Sequence, residues 1–239
     1  MAGHSKWANT KHRKDRADRK KGKIFSRIMK EIISAVKQGG ADPKNNSKLR
    51  AAIQKAKDAN LPGDNIERNI KKATSADQAD FSELTYELYG YGGVGILVDI
   101  MTDNKNRIAS ELRIATNKCG GTIAAPGAVT YQFERKGVIR IPKTKAKEDD
   151  LFLQASEAGA EDFSSDEDNY LVITSIENFA PVKESLSSQY PLEESGLELL
   201  PKVWVEVSDE DANQNITLIE WIENLDDVDA VFHNMKYAT

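Results

Sequence analysis

Residues 137–200 read GVIRIPKTKAKEDDLFLQASEAGAEDFSSDEDNYLVITSIENFAPVKESLSSQYPLEESGLELL, and the alternation of short apolar runs with helical periods along them decides the fold. Val138–Ile141 predicts a strand, Lys147–Ala158 a helix, Glu161–Ser164 and Tyr170–Thr174 two strands, Glu177–Gln189 a helix and Leu197–Leu200 a closing strand. That order, βαββαβ, is the ferredoxin-like arrangement, an antiparallel sheet with two helices on one side.

Working outward, residues 202–239 supply one more unit: strand Lys202–Val207, helix Asp211–Leu225, strand Asp229–Met235. Upstream, Thr85–Tyr91 and Gly95–Met101 flank a glycine turn and predict a hairpin. A helix follows over Lys105–Lys118, capped by Asp103 or Asn104 and stopped by Gly120-Gly121. A strand is expected at Val129–Glu134. If the last unit completes the sheet begun at Thr85, residues 83–135 and 202–239 form one discontinuous α+β domain with the ferredoxin-like domain, 136–201, inserted in it. The alternative is a linear row of domains.

Residues 23–75 change period. Ile24, Phe25, Ile28, Ile32, Ala35 and Val36 recur every three or four residues, a pattern ended by Gly39-Gly40. A second helix starts near Ser47, a plausible N-cap, and buries Leu49, Ala52, Ile53 and Ala56. A third, capped by Asp64, turns Ile66, Ile70 and Ala73 inward. Residues 74–82, TSADQADFS, read as a linker. The expected fold is therefore α+β, with an N-terminal three-helix domain followed by two α+β domains.

Charge divides the chain in two. Residues 1–27, MAGHSKWANTKHRKDRADRKKGKIFSR, hold six Lys and four Arg against Asp15 and Asp18, a net of +8 in a chain whose total is −5. Residues 1–75 carry 20 Lys and Arg against 7 Asp and Glu, a net of +13; the remainder carries 13 against 31, a net of −18. Such asymmetry indicates a polyanionic partner for the basic part. Between Trp7 and Lys23 no apolar stripe is visible and cations fall on every face of a hypothetical helix. Residues 1–22 are thus expected to form a flexible basic arm that orders on a phosphate backbone. The candidate contacts are His4, Lys6, Trp7, Lys11, His12, Arg13, Lys14, Arg16, Arg19, Lys20, Lys21, Lys23 and Arg27, the rings stacking on bases while the cations meet phosphates. The outer faces of the three helices add Lys30, Lys37, Lys48, Arg50, Lys55, Lys57, Arg68, Lys71 and Lys72, any of which is equally an ordinary solvated side chain. In the middle region Asn104 and Arg107 stand at a helix start that attracts anions, and either contact phosphate or merely cap the helix.

Several stretches resemble the YebC/PmpR family, whose mitochondrial relative is a translational activator of cytochrome oxidase. They are MAGHSKWANTKHRK at 1–14, GKIFSRIMKEI at 22–32, GGADPKNNSKLRAAIQKAK at 39–57, LPGDNIERNIKK at 61–72, TDNKNRIASELR at 102–113 and PGAVTYQFERKG at 126–137. Thr10 and Gly63 depart slightly from the family pattern. The resemblance implies a three-domain cytoplasmic protein labelled a DNA-binding transcriptional regulator, while other members act as translation factors at the ribosome.

Other chemistries find little support. Gly90-Tyr91-Gly92-Gly93-Val94-Gly95 spells the dinucleotide fingerprint, but a strand rather than a helix leaves it. The three histidines, His4, His12 and His233, and the single Cys119 have no partner at metal-ligand spacing. The acidic runs at 148–150, 166–168 and 209–211 suit helix starts and loops. No cofactor, metal or small-molecule substrate is expected. No apolar run approaches the ~18–20 residues of a membrane span, and the charged N-terminus does not read as a secretory signal. The expected function is a non-enzymatic regulator of gene expression that binds DNA, with a factor associated with the ribosome and its rRNA as the alternative. An enzyme or a protein-interaction scaffold ranks third.

Overall fold

The computed structural model of the chain describes residues 13–75 and 80–237, with side chains placed from Gly22 to Lys236 outside that break. Three helices come first: α1 (Arg13–Gly39), α2 (Ser47–Asp58) and α3 (Gly63–Ala73). Ile28, Ile32, Ile33, Leu49, Ala52 and Ile66 form their shared core. Ile24, expected inside, is 40% exposed. Ile53 and Ile70 pack against the core without being fully covered.

Helix α1 begins eleven residues before the apolar pattern does, so residues 13–22 of the expected arm are helical. Lys, Arg and Ala are good helix formers. Once the packed turns around Ile28 and Ile32 exist, each added residue gains a hydrogen bond without a new nucleation penalty. At 27 residues, α1 is about 40 Å long. Two caps also differ from expectation. Asn46, not Ser47, caps α2: its Oδ1 accepts from Leu49 N at 3.0 Å, while its amide donates to Ala35 O and Gly40 O and ties α2 to the end of α1. Helix α3 starts after Pro62, with Asp64 inside its first turn, where it meets the positive end of the helix dipole but makes no cap bond.

The next sheet contains β1 (Ser82–Tyr89), β2 (Gly95–Thr102), β3 (Thr122–Ile123) and β9 (Val228–His233) in the order β3-β1-β2-β9, all antiparallel. Gly92 and Gly93, with φ of 67° and 80°, make the β1–β2 turn, a geometry that side-chain-bearing residues rarely adopt. Helices α4 (Lys105–Cys119) and α7 (Asp209–Glu223) cover one face over Ile96, Val98, Ile100, Ile108, Leu112, Leu218 and Ile222. The other face of β2 buries Leu97 against Val129 and Phe133. Strands β8 (Val205–Val207) and β10 (Met235–Tyr237) pair in parallel beside it.

The two strands expected at Val129–Glu134 and Val138–Ile141 are one: β4 runs Phe133–Pro142 unbroken. Residues before it are held out of the strand because the buried Glu87 carboxylate accepts from Gly127 N, Val129 N and Thr130 N at 2.5–2.8 Å. Gly137 sits mid-strand, where a Cβ would collide with Thr174 Oγ1 and the Phe179 ring. With β5 (Asp162–Ser165), β6 (Asn169–Thr174) and β7 (Glu194–Pro201), β4 builds an antiparallel sheet in the order β5-β6-β4-β7. Helices α5 (Glu148–Ala158) and α6 (Phe179–Ser187) pack on it over Ile139, Ile141, Tyr170 and Val172. This is the ferredoxin-like arrangement.

Candidate nucleic-acid interface

The basic run of the sequence lies largely on α1. A helix turns 100° per residue, so positions 13, 16, 20, 23, 27 and 30, spaced three and four apart, share one face. Every one of them is Arg or Lys. Positions 14 and 21 fall on another face and position 19 at the edge of the stripe. His4, Lys6, Trp7, Lys11 and His12 lie outside the described residues, and no side-chain geometry is described for Arg13, Lys14, Arg16, Arg19, Lys20 or Lys21.

The C-terminal half of the stripe is engaged by the protein itself. Lys23 donates to the carbonyls of Glu223, Leu225 and Val228, the latter two at 3.0 and 2.9 Å. An ammonium there meets the negative end of the α7 dipole. Burial lowers the Lys23 pKa even though Glu223, Asp229 and Asp226 act to hold the proton. Arg27 pairs with Glu31 at 3.2 Å and with Asp229 at 3.7 Å. Lys30 donates to Met101 O at 2.8 Å, approaches Asp227 at 3.9 Å and lies over the Phe81 ring. Burial pushes Asp229 up to about 6, although Arg27 and Lys30 favour its ionised form. Residues 223–229 thus present carbonyls and carboxylates to the cations of α1.

Asp227, 4% exposed, is the hub of this contact. Arg107 Nε donates to its Oδ2 at 2.9 Å and Nη2 to both oxygens, at 2.9 and 2.7 Å, while Thr102 Oγ1 donates to Oδ2 at 3.0 Å. Hydrogen bonds that Arg107 donates to Asp227, and then to Asp103, hold its guanidinium above its ordinary pKa. Asn104 caps α4 by accepting from Asn106 N and Arg107 N at 3.1 and 3.0 Å. Asn104 and Arg107 therefore both have partners within the fold. Asp226, Asp227 and Asp229 were not singled out by the sequence, because nothing local connects them to cations on α1 some 200 positions earlier.

Among the described residues, Arg68, Lys71 and Lys72 of α3 and Lys57 of α2 are exposed and share the charge of α1 on the helical unit. Positions 68, 71 and 72 lie on one face of α3. Lys48, Arg50 and Lys55 are also exposed but make bonds to Gln38, to Pro43 O and to Glu31; Lys37 pairs with Asp80. Among the described residues no group of three His, Cys, Asp or Glu is placed to hold a metal ion, and no helix is long and apolar enough to cross a membrane.

A cationic three-helix unit joined through polar contacts to an acidic pair of α+β units defines the class of protein. Its lineage is equally plain. The family model described as "TACO1/YebC protein N-terminal domain" matches residues 5–76, and that described as "TACO1/YebC second and third domain" matches residues 81–235. A "Probable transcriptional regulatory protein" of Protochlamydia amoebophila is 63% identical over 237 residues, 99% of this chain and 97% of that one. A protein of the same description from Chlamydia pneumoniae is 59% identical over 99% of this chain and 100% of its own. The crystal structure of a conserved hypothetical protein from Aquifex aeolicus superposes with a TM-score of 0.82 at 40% identity, over 98% of both chains. The chain belongs to the TACO1/YebC family.

Proposed function

We propose that the protein is a non-enzymatic, DNA-binding regulator of gene expression in the cytoplasm, with the basic face of α1 and residues 1–12 supplying its phosphate contacts. The observation that carries this reading is the run of six cationic positions along one face of a single helix, in a chain whose remainder is acidic. The names of the relatives, transcriptional regulatory proteins, support the same reading. Phosphate contacts position a protein without reading sequence, so the basic helix supplies affinity and register rather than base recognition. Exposed Arg68, Lys71 and Lys72 extend the positive field. Replacing Arg13, Arg16 and Lys20 together with Ala removes three phosphate contacts and flattens the slope of log K against log salt by about 2.7 on duplex DNA. An unchanged slope refutes the assignment to α1.

The second reading, a factor bound to rRNA on the ribosome, is favoured by the net −18 of residues 76–239. Such a body disfavours wrapping along bare duplex but tolerates the clustered phosphates of folded RNA. Crosslinking in cells followed by sequencing of the attached nucleic acid separates the two: promoter fragments support the first reading, rRNA the second.

A further inference from the structure

Among the described residues the helical unit shares no apolar core with the rest of the chain: its cluster of Ile28, Ile32, Leu49 and Ile66 is separate from the one under β2, and the only described residue after Ala73 that joins it is Phe81. What holds α1 against the sheet is the contact of Lys23 and Arg27 with residues 223–229 and of Lys30 with Met101 O and, at 3.9 Å, Asp227. A polar interface of this kind permits relative motion of the units it joins. The contact also carries an unrecovered desolvation penalty, since Asp229 remains hard to ionise beside Arg27. The three cations belong to the same helical face as Arg13, Arg16 and Lys20.

We infer that residues 226–229 act as an intramolecular stand-in for a phosphate backbone, occupying half of the cationic stripe until nucleic acid displaces them. This rests on the nucleic-acid reading above and adds its regulation: binding is a competition, and the free protein is held in a partly self-occupied state. Displacement frees Lys23 and Arg27 for phosphate and releases the helical unit from β9, and Lys30 follows once its bond to Met101 O on β2 also opens.

The test uses the full chain with a short duplex DNA and a short single-stranded RNA as probes. Asp226→Lys with Asp229→Lys sets like charge against Lys23, Arg27 and Lys30 and so weakens the internal competitor while leaving the Asp227 hub intact. Asp149→Lys with Asp150→Lys, on α5, makes the same change of charge elsewhere and serves as the control. The expected result is roughly fivefold tighter binding for the first pair and little change for the control. Equal gains for both pairs would mean that net charge alone acts, and would overturn the inference. Hydrogen exchange gives an independent readout: the amides of Asn224, Leu225 and Val228, bonded in this structure, should lose protection when wild-type protein binds either probe. Tight binding with unchanged protection there overturns the inference but leaves the proposed function standing. Failure of the wild type to bind either probe in dilute buffer overturns both.

Discussion

Arg107 separates a structural role from a nucleic-acid role most cleanly. Arg107→Ala deprives a carboxylate that is only 4% exposed of its two-pronged partner, leaving the Thr102 hydroxyl at 3.0 Å and the Lys30 ammonium at 3.9 Å. Stranding a fully buried charge costs about 3–5 kcal/mol. The Arg107 side chain is itself 43% exposed, so water partly replaces it, and about 2 kcal/mol is expected. With a urea dependence of about 2 kcal/mol per molar, the midpoint falls by about 1 M. Fluorescence of Trp221, on the helix that leads into the Asp227 loop, follows the transition. Arg107→Lys keeps the charge but not the planar fork and should lie between wild type and Ala. Affinity for duplex DNA should stay within about twofold in both variants, because the guanidinium is committed to Asp227. An unchanged midpoint with affinity reduced tenfold or more would show that Arg107 faces phosphate, and would refute the structural assignment.

Two further outcomes follow from particular contacts. Gly137→Ala places a methyl against Thr174 Oγ1 and the Phe179 ring and should destabilise the ferredoxin-like unit by about 1–3 kcal/mol, measured by urea unfolding; wild-type stability would mean that β4 does not pack as described. Asp229 has a folded-state pKa raised to about 6, so its neutral form is favoured on folding. Its contribution is fully present below its unfolded value and is lost as pH rises through about 6. The stability of Asp229→Asn should therefore rise relative to wild type between about pH 4 and pH 6 and then level off. The groups facing Asp229 are Arg27, Lys23, Lys30 and Glu31 of α1, with Glu83, Asp99 and Arg135 across the cleft. A difference that does not vary with pH would contradict the raised pKa.

Local signals in the sequence were strong enough to give most of the elements. The βαββαβ run shows short apolar strands set between segments of helical period, and Asn104 announces α4 by the chemistry of a cap. Signals that depend on distant partners were silent. The sequence suggests separate strands at Val129–Glu134 and Val138–Ile141, and only the approach of Thr174 and Phe179 explains a glycine midway along the single strand. The start of α1 at Arg13 has no apolar stripe to mark it, because helix propensity and propagation from a packed segment set it. Lys23 and Arg27 look in sequence like further members of a phosphate-binding run, since the carbonyls and carboxylates that engage them lie about 200 positions away. Charge predicts that a cation seeks an anion, and tertiary structure decides whose.

A salt titration of full-length protein on duplex DNA bears most directly on the whole account. With about six cations meeting phosphates, log K should fall against log salt with a slope near −5, and near −4 on a single strand. Protein that retains neither DNA nor RNA in dilute buffer, or binds with a slope near zero, would contradict the assignment of a phosphate-binding role to this chain's basic helix.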